Sequence, residues 1–276
     1  MTSPLARASR ARQEVDGATG VPAVLLLPAL LGVLFLVLPM AALLIRVPWS
    51  SLGSLLAEPE VRQALRLSVA SASLATLISL VLGVPLAWVL ARTRVRGRAV
   101  LRALVTVPLV LPPVVGGVAL FLALGRRGVI GGPLYDATGI SFPFTTKAVV
   151  LAETFVAMPF LVISVEGALR AADRRFEDAA ATLGADRATT FRRVTLPLVL
   201  PGVAAGAVLC WARALGEFGA TITFAGTFPG TTRTMPLQVY LALQTDPESA
   251  IALSLVLLVV SIGTLLLLRD RWLMRT

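Results

Sequence analysis

The chain reads as an all-α polytopic membrane protein with six transmembrane helices, and three observations lead there. Its composition is 57% hydrophobic and only 14% charged, with a mean hydropathy of +0.86. A soluble domain of 276 residues has no interior large enough for that apolar surface, whereas lipid accepts it. The apolar residues fall in six runs, each close to the roughly 20 residues a helix needs to cross a hydrocarbon core of about 30 Å. The basic residues collect between the runs, in alternate loops.

The elements follow in chain order. Residues 1–20 are polar and small, which predicts a disordered cytoplasmic tail, and residues 21–276 predict one transmembrane domain. The first run, about 21–45, is too long for a cleaved signal peptide and is followed by further spans, so it reads as an uncleaved anchor. The second run covers about 67–91. The third, 103–124, holds Pro108, Pro112, Pro113, Gly116 and Gly117; this predicts a kinked or unwound segment over 108–117, tolerable where neighbouring helices satisfy the freed backbone. The fourth covers 148–168, with Glu153 and Glu166 near its ends and read as interfacial. The fifth covers 198–224 and contains Cys210, read as a small packing residue. The sixth, Ser249–Leu268, carries no charge.

Net charge is +10 and the isoelectric point is about 11.4. In a soluble protein that would point to nucleic acid, but arginines set between apolar runs are a topology signal. The tail 1–20, the loop 92–102, the loop 169–197 and the C-terminus carry seventeen of the 25 basic residues. That side is cytoplasmic by the positive-inside rule. Six crossings return both termini to it, in a multi-pass cell (inner) membrane protein. There is no His, one Cys and one Lys, Lys147. No internal disulfide and no Cys/His zinc cluster can form. Lys147 is followed by Ala148, so no Walker phosphate loop exists. If ATP drives this protein, another chain binds it.

The loop 169–197 is polar and arginine-rich between long apolar runs. Asp173 can cap a helix whose first turns hold Glu177 and Asp178, where the helix dipole favours acids. Gly184 is a C-terminal stop, Asp186 can cap a second short helix, and Pro197 opens the next span. Ala179, Ala180 and Leu183 share one face whose small residues permit close docking. The plainer alternative is a basic inside loop, although loops longer than about 12–15 residues tend to be functional or disordered.

Arg213 and Glu217 lie four apart on one helical face of the fifth run. Intramembrane charges pair with each other or line a water-filled path. A mutual brace is the preferred reading, because a path must release its ion; the alternative is that Arg213 lends positive potential to an anion. Gly216, Gly219 and Thr221 can permit close helix contact or offer donors to an oxyanion, packing being the commoner role. Arg126 and Arg127, on the outer side, can meet an acidic partner or stay solvated.

The spacing Asp178-Ala179-Ala180, three residues, Gly184, nine residues, then Val194-x-Leu196-Pro197 resembles the cytoplasmic EAA loop of type I ABC-importer permeases. The family's first position is usually Glu; here it is Asp178, with Glu177 just before it. Pro108–Gly117, Arg213–Thr221, Phe224-Ala-Gly226, Pro229-Gly230 and Thr234-Met-Pro236 resemble the molybdate-type permeases, over roughly residues 60–250. The resemblance implies a transport subunit rather than an enzyme, with no catalytic residue and no metal site. It implies a homodimer, a separate ATPase dimer that binds ATP and Mg, and an extracytoplasmic binding protein delivering molybdate or tungstate. No cofactor belongs to this chain; membrane lipid surrounds it. The ATPase would dock at 170–197 through Glu177, Asp178, Ala179, Ala180, Leu183, Gly184 and Ala185. Arg213, Glu217, Gly219 and Thr221 would belong to the gate or translocation path. Sulfate or thiosulfate permeases carry a related Gly-Glu-Phe-Gly-Ala-Thr stretch and are the alternative. A stand-alone secondary transporter would show internal repeats, and no clear repeat relates the two halves. A membrane enzyme would lack a His, a thiol pair or clustered carboxylates to work with.

Overall fold

The computed structural model describes residues 23–93 and 95–273. The tail expected to be disordered, 1–20, lies outside the described residues. The chain divides into two units, 1–47 and 48–276. The first contains α1 (Ala23–Arg46), with Pro28 and Pro39 inside it. Phe35, Leu36 and Ile45 are exposed along it, and a helix without a polar face takes lipid as its solvent.

The second unit's described residues form helices joined by turns and loops, with no strand among them. It runs α2 (Leu52–Ala57), α3 (Pro59–Arg92), α4 (Arg98–Val110), α5 (Pro113–Leu124), α6 (Gly131–Thr138) and α7 (Thr146–Ala171). Then come α8 (Arg175–Thr182), α9 (Arg187–Thr190), a π-helical turn at Phe191–Thr195, α10 (Leu196–Leu215), α11 (Gly219–Ala225), α12 (Met235–Thr245) and α13 (Pro247–Leu273). Among the described residues five helices are long and apolar enough to cross a membrane, and the bent pair α4–α5 brings the number to six if it is counted as one span.

α7 is the most buried of the long helices and packs against α3 on one side and α10 on the other. Small residues set this arrangement. A Cβ added at Gly83 of α3 would lie 3.1 Å from Leu161 and from Val162 of α7. Gly202 and Gly206, four apart on α10, face Ala168, Ser164 and Leu161. In lipid, helix association relies on such close van der Waals contact and on interhelical hydrogen bonds. The Ser164 hydroxyl supplies one of those bonds, donating to the Gly202 carbonyl at 3.0 Å. Ala72, Ala75 and Leu90 of α3, Leu161 and Val165 of α7, and Val203 and Ala214 of α10 complete the core. Cys210 is buried among them as a free thiol, in the packing role expected.

Two spans are broken. α4 and α5 meet at 117° around Leu111 and Pro112, within the stretch expected to kink. The fifth run departs from expectation at both ends. Helical structure already begins at Arg187 and continues to Leu215, so Pro197 does not open it. Pro197 cannot donate a backbone hydrogen bond, and just upstream the ladder widens, with the Leu196 N–H reaching the Phe191 carbonyl. At the other end α10 stops at Leu215, and α11 starts afresh at Gly219. The Gly216 N–H still reaches the Ala212 carbonyl, but the Glu217 N–H bonds Ala214, a tightened last turn that ends the helix.

Candidate functional site

The loop after α7 folds into a compact helical joint. The Asp173 carboxylate accepts the Arg175 N–H at 2.9 Å, which starts α8 as its sequence implied. α8 ends in a Schellman motif: Ala185 N–H to Ala180 O and Gly184 N–H to Ala181 O, both 3.0 Å. Gly184 takes φ +84°, a left-handed conformation that glycine adopts without a Cβ penalty. Asp186 then caps α9 by accepting the Thr189 N–H at 2.8 Å. The Thr189 side chain and, after it, that backbone bond hold its carboxyl below the usual aspartate range.

The two neighbouring acids do different work. Asp178 is exposed. Glu177 turns inward: its Oε1 lies 3.1 Å from Arg92 Nη2 at the end of α3 and accepts the Thr195 hydroxyl at 3.0 Å. Arg92 also donates to the Ala172 carbonyl at 3.2 Å, and Trp88 meets Phe191 edge to face, with centroids 5.1 Å apart. α8 is therefore tied to α3 and to the turn leading into α10. Its outer side presents Phe176, Asp178, Ala179 and Leu183; Leu183 is 88% exposed, far more than an unpartnered leucine needs to be. Ala180 and Ala185 are half-buried behind it.

Sequence reasoning missed the role of Arg92, counting it only as a topology charge. Glu166, near the cytoplasmic end of α7, is buried within the protein, and its Oε1 binds Arg102 of α4 at 2.5 Å and Arg170 at 2.6 Å. A carboxylate one turn above a cytoplasmic arginine cluster draws those arginines back over itself.

The second constellation lies where the two broken spans cross. Arg213 Nη2 and Glu217 Oε2 are 2.5 Å apart, an ion contact off the hydrogen-bonding direction. They do not share one continuous helix: Glu217 sits in the break. There its Oε1 accepts the Ala220 N–H at 2.8 Å and caps α11. Gly219 backs directly onto Pro113 and Val114 of α5, and Gly117 of α5 onto Ala220 and Thr223 of α11. Packing is thus what these glycines do. Thr221 is fully buried, and its hydroxyl has no hydrogen-bond partner among the described residues. Glu153, expected at an interface, is instead 1% exposed and accepts the Ser71 hydroxyl at 2.8 Å. Its position well inside α7, facing a serine of α3, explains the burial. In the loop that follows α5, Arg126 donates to the Ser141 hydroxyl at 3.2 Å and covers the Tyr135 ring at 5.2 Å.

A helical bundle of broken spans, with a short capped helix projecting from one loop, suits a transport subunit. Residues 83–275 match the family described as "Binding-protein-dependent transport system inner membrane component". The chain belongs to that family. As such an inner membrane component it is a multi-pass membrane protein, and its long apolar helices are the crossings.

Among relatives, the "Molybdenum transport system permease protein ModB" of Mycobacterium tuberculosis is 54% identical over 243 residues, covering 88% of this chain and 92% of that protein. The Escherichia coli protein of the same name is 45% identical over 221 residues, covering 80% and 96%. A "Probable sulfate transport system permease protein cysT" of Zygnema circumcarinatum is 34% identical over 248 residues, covering 88% and 86%. Among solved structures, a bacterial ABC transporter that imports alginate aligns with TM-score 0.70 and 17% identity, over 95% of this chain and 99% of that one. The inward-facing MetNI methionine ABC transporter aligns with TM-score 0.62 and 18% identity, over 78% and 96%. These two likenesses establish the importer-permease fold.

Proposed function

We propose that this inner membrane component forms the translocation path of an ATP-driven importer for molybdate or tungstate, acting as a homodimer. A cytoplasmic ATPase dimer carries ATP and Mg, and an extracytoplasmic binding protein delivers the anion. Both termini lie in the cytoplasm, and the apolar helices form the permease domain. The observation that carries the reading is the α8 joint, whose outer face is unpartnered while its inner side is bonded to α3 and to the turn leading into α10. A short helix fixed in this way passes a push on Phe176, Ala179 and Leu183 to the spans behind it. Asp178 is the acid that meets the ATPase; Glu177 fixes the joint internally. Gly184 and Ala185 set where the push turns toward α9 and α10.

In the gate region, Arg213 and Glu217 brace the break between α10 and α11, Gly219 sets its contact with α5, and Thr221 lies buried on α11. A neutralised arginine suits a path that must release its anion as well as admit it. The choice of molybdate rests on the names of the relatives at 54% and 45% identity, and the sulfate relative at 34% identity defines the competing reading. Proteoliposomes holding permease, ATPase and binding protein test it by uptake of labelled molybdate against a hundredfold excess of sulfate. Undiminished uptake supports molybdate; uptake abolished by sulfate assigns the transporter to sulfate.

A further inference from the structure

A groove of about 850 Å³ separates the last two turns of α3 from the joint. Val84, Pro85, Trp88, Val89 and Phe191 are part of its apolar lining. Its polar rim holds Arg92, Arg174, Arg187 and one acid, Glu177. Arg92 and Glu177 neutralise each other. Arg174 and Arg187 are exposed, and neither forms an ion pair among the described residues. The groove therefore combines apolar residues of a membrane span, a tryptophan among them, with two guanidinium groups that form no ion pair among the described residues. Tryptophan favours the headgroup level of a bilayer, and guanidinium forks match phosphate oxygens bidentately.

We propose that this groove binds an anionic glycerophospholipid of the inner leaflet. Its phosphate lies between Arg174 and Arg187, and one acyl chain runs along Val84, Pro85 and Val89. Free phosphate would satisfy the arginines and leave the apolar wall wet; a zwitterionic lipid would cover the wall but bring its own cation to the arginines. Arg174 immediately precedes α8 and Arg187 is the first residue of α9, so one headgroup engages both short helices of the joint. The charge of the surrounding leaflet thereby sets how firmly the joint is held. The proposal rests on the cytoplasmic placement of the 170–197 loop and not on the identity of the transported anion.

The test is native mass spectrometry of the assembled transporter released from detergent, after equilibration with phosphatidylglycerol, phosphatidylcholine or inorganic phosphate. Wild type is expected to retain phosphatidylglycerol in preference to phosphatidylcholine, and Arg174→Gln/Arg187→Gln to lose about tenfold in that retention. A second measurement leaves the arginines untouched. Phosphatidylglycerol brominated on its acyl chains should quench wild-type tryptophan fluorescence more than that of Trp88→Phe. Equal retention by the double variant, equal retention of phosphatidylcholine, displacement of the lipid by inorganic phosphate, or quenching unchanged by Trp88→Phe would each overturn the proposal. So would lipid held by the permease alone but expelled on assembly with the ATPase, which would give the groove to a protein partner. Retention is read without transport, so its failure leaves the transport reading standing.

Discussion

Replacing Glu177 by Gln removes a charge from the joint while preserving its shape. In the wild type the Glu177 and Arg92 side chains lie 3.1 Å apart and are 19% and 7% exposed. An exposed pair contributes about 0–1 kcal/mol, whereas removing one partner of a buried pair costs about 3–5 kcal/mol. This pair lies between the two cases, which puts the loss near 2 kcal/mol, or about 30-fold in the population of the attached joint. The substituted amide oxygen could still accept the Thr195 hydroxyl and an Arg92 N–H, so what is removed is the charge attraction between the two side chains. Arg92→Met removes the other partner, and the double variant closes a thermodynamic cycle. The assay is anion transported per ATP hydrolysed in proteoliposomes, read alongside thermal unfolding of the purified permease. Each single variant should transport fewer anions per ATP, and the double variant should lose less than the sum of the two. Wild-type stoichiometry in Glu177→Gln, or strict additivity in the cycle, would refute the idea that this pair fastens the joint.

Gly117→Leu would place a Cβ 2.7 Å from the Thr223 Cβ and 2.8 Å from the Ala220 carbonyl oxygen. It should part α5 from α11 at a cost of about 1–3 kcal/mol or more, visible as a lower unfolding temperature and reduced uptake. Glu217→Ala removes both the α11 cap and the contact with Arg213; uptake should fall, and wild-type uptake at normal protein levels would remove the brace from the account. The Asp186 cap is strongest with the carboxylate ionised, because its pKa is depressed in the fold. Its stabilisation is therefore complete at neutral pH and is lost only as pH falls below the ordinary aspartate range. Asp186→Asn should abolish that acid sensitivity in the helicity of residues 186–190.

Lipid made much of the fold legible in the sequence. A run of about 20 apolar residues has few other solutions, and the prolines at 108–113 marked the α4–α5 bend. Capping chemistry is equally local, so Asp173, Gly184 and Asp186 could be read directly. The break at 216–218 could not, since no proline stands beside it and it depends on Glu217 reaching forward to Ala220. Pro197 misled in the opposite direction: a proline can be absorbed next to a π-helical turn inside a longer helix. The burial of Glu153 against Ser71 and the pairing of Glu177 with Arg92 join residues more than eighty positions apart, and one sequence carries no local sign of either. The difference between Glu177 and Asp178 emerges only once α8 is docked, because one step along a helix turns a side chain by about 100°.

On the proposed function the ATPase drives this permease through the outer face of α8, and Gly184→Asp probes that contact. Nothing lies within 4 Å of a Cβ added at Gly184, and aspartate is among the few residues that tolerate its left-handed backbone, so the substitution puts a charge on the docking face without filling occupied space. In vesicles with ATPase and binding protein, the account predicts normal membrane insertion and loss of ATP-driven molybdate uptake. Uptake at the wild-type rate would contradict it.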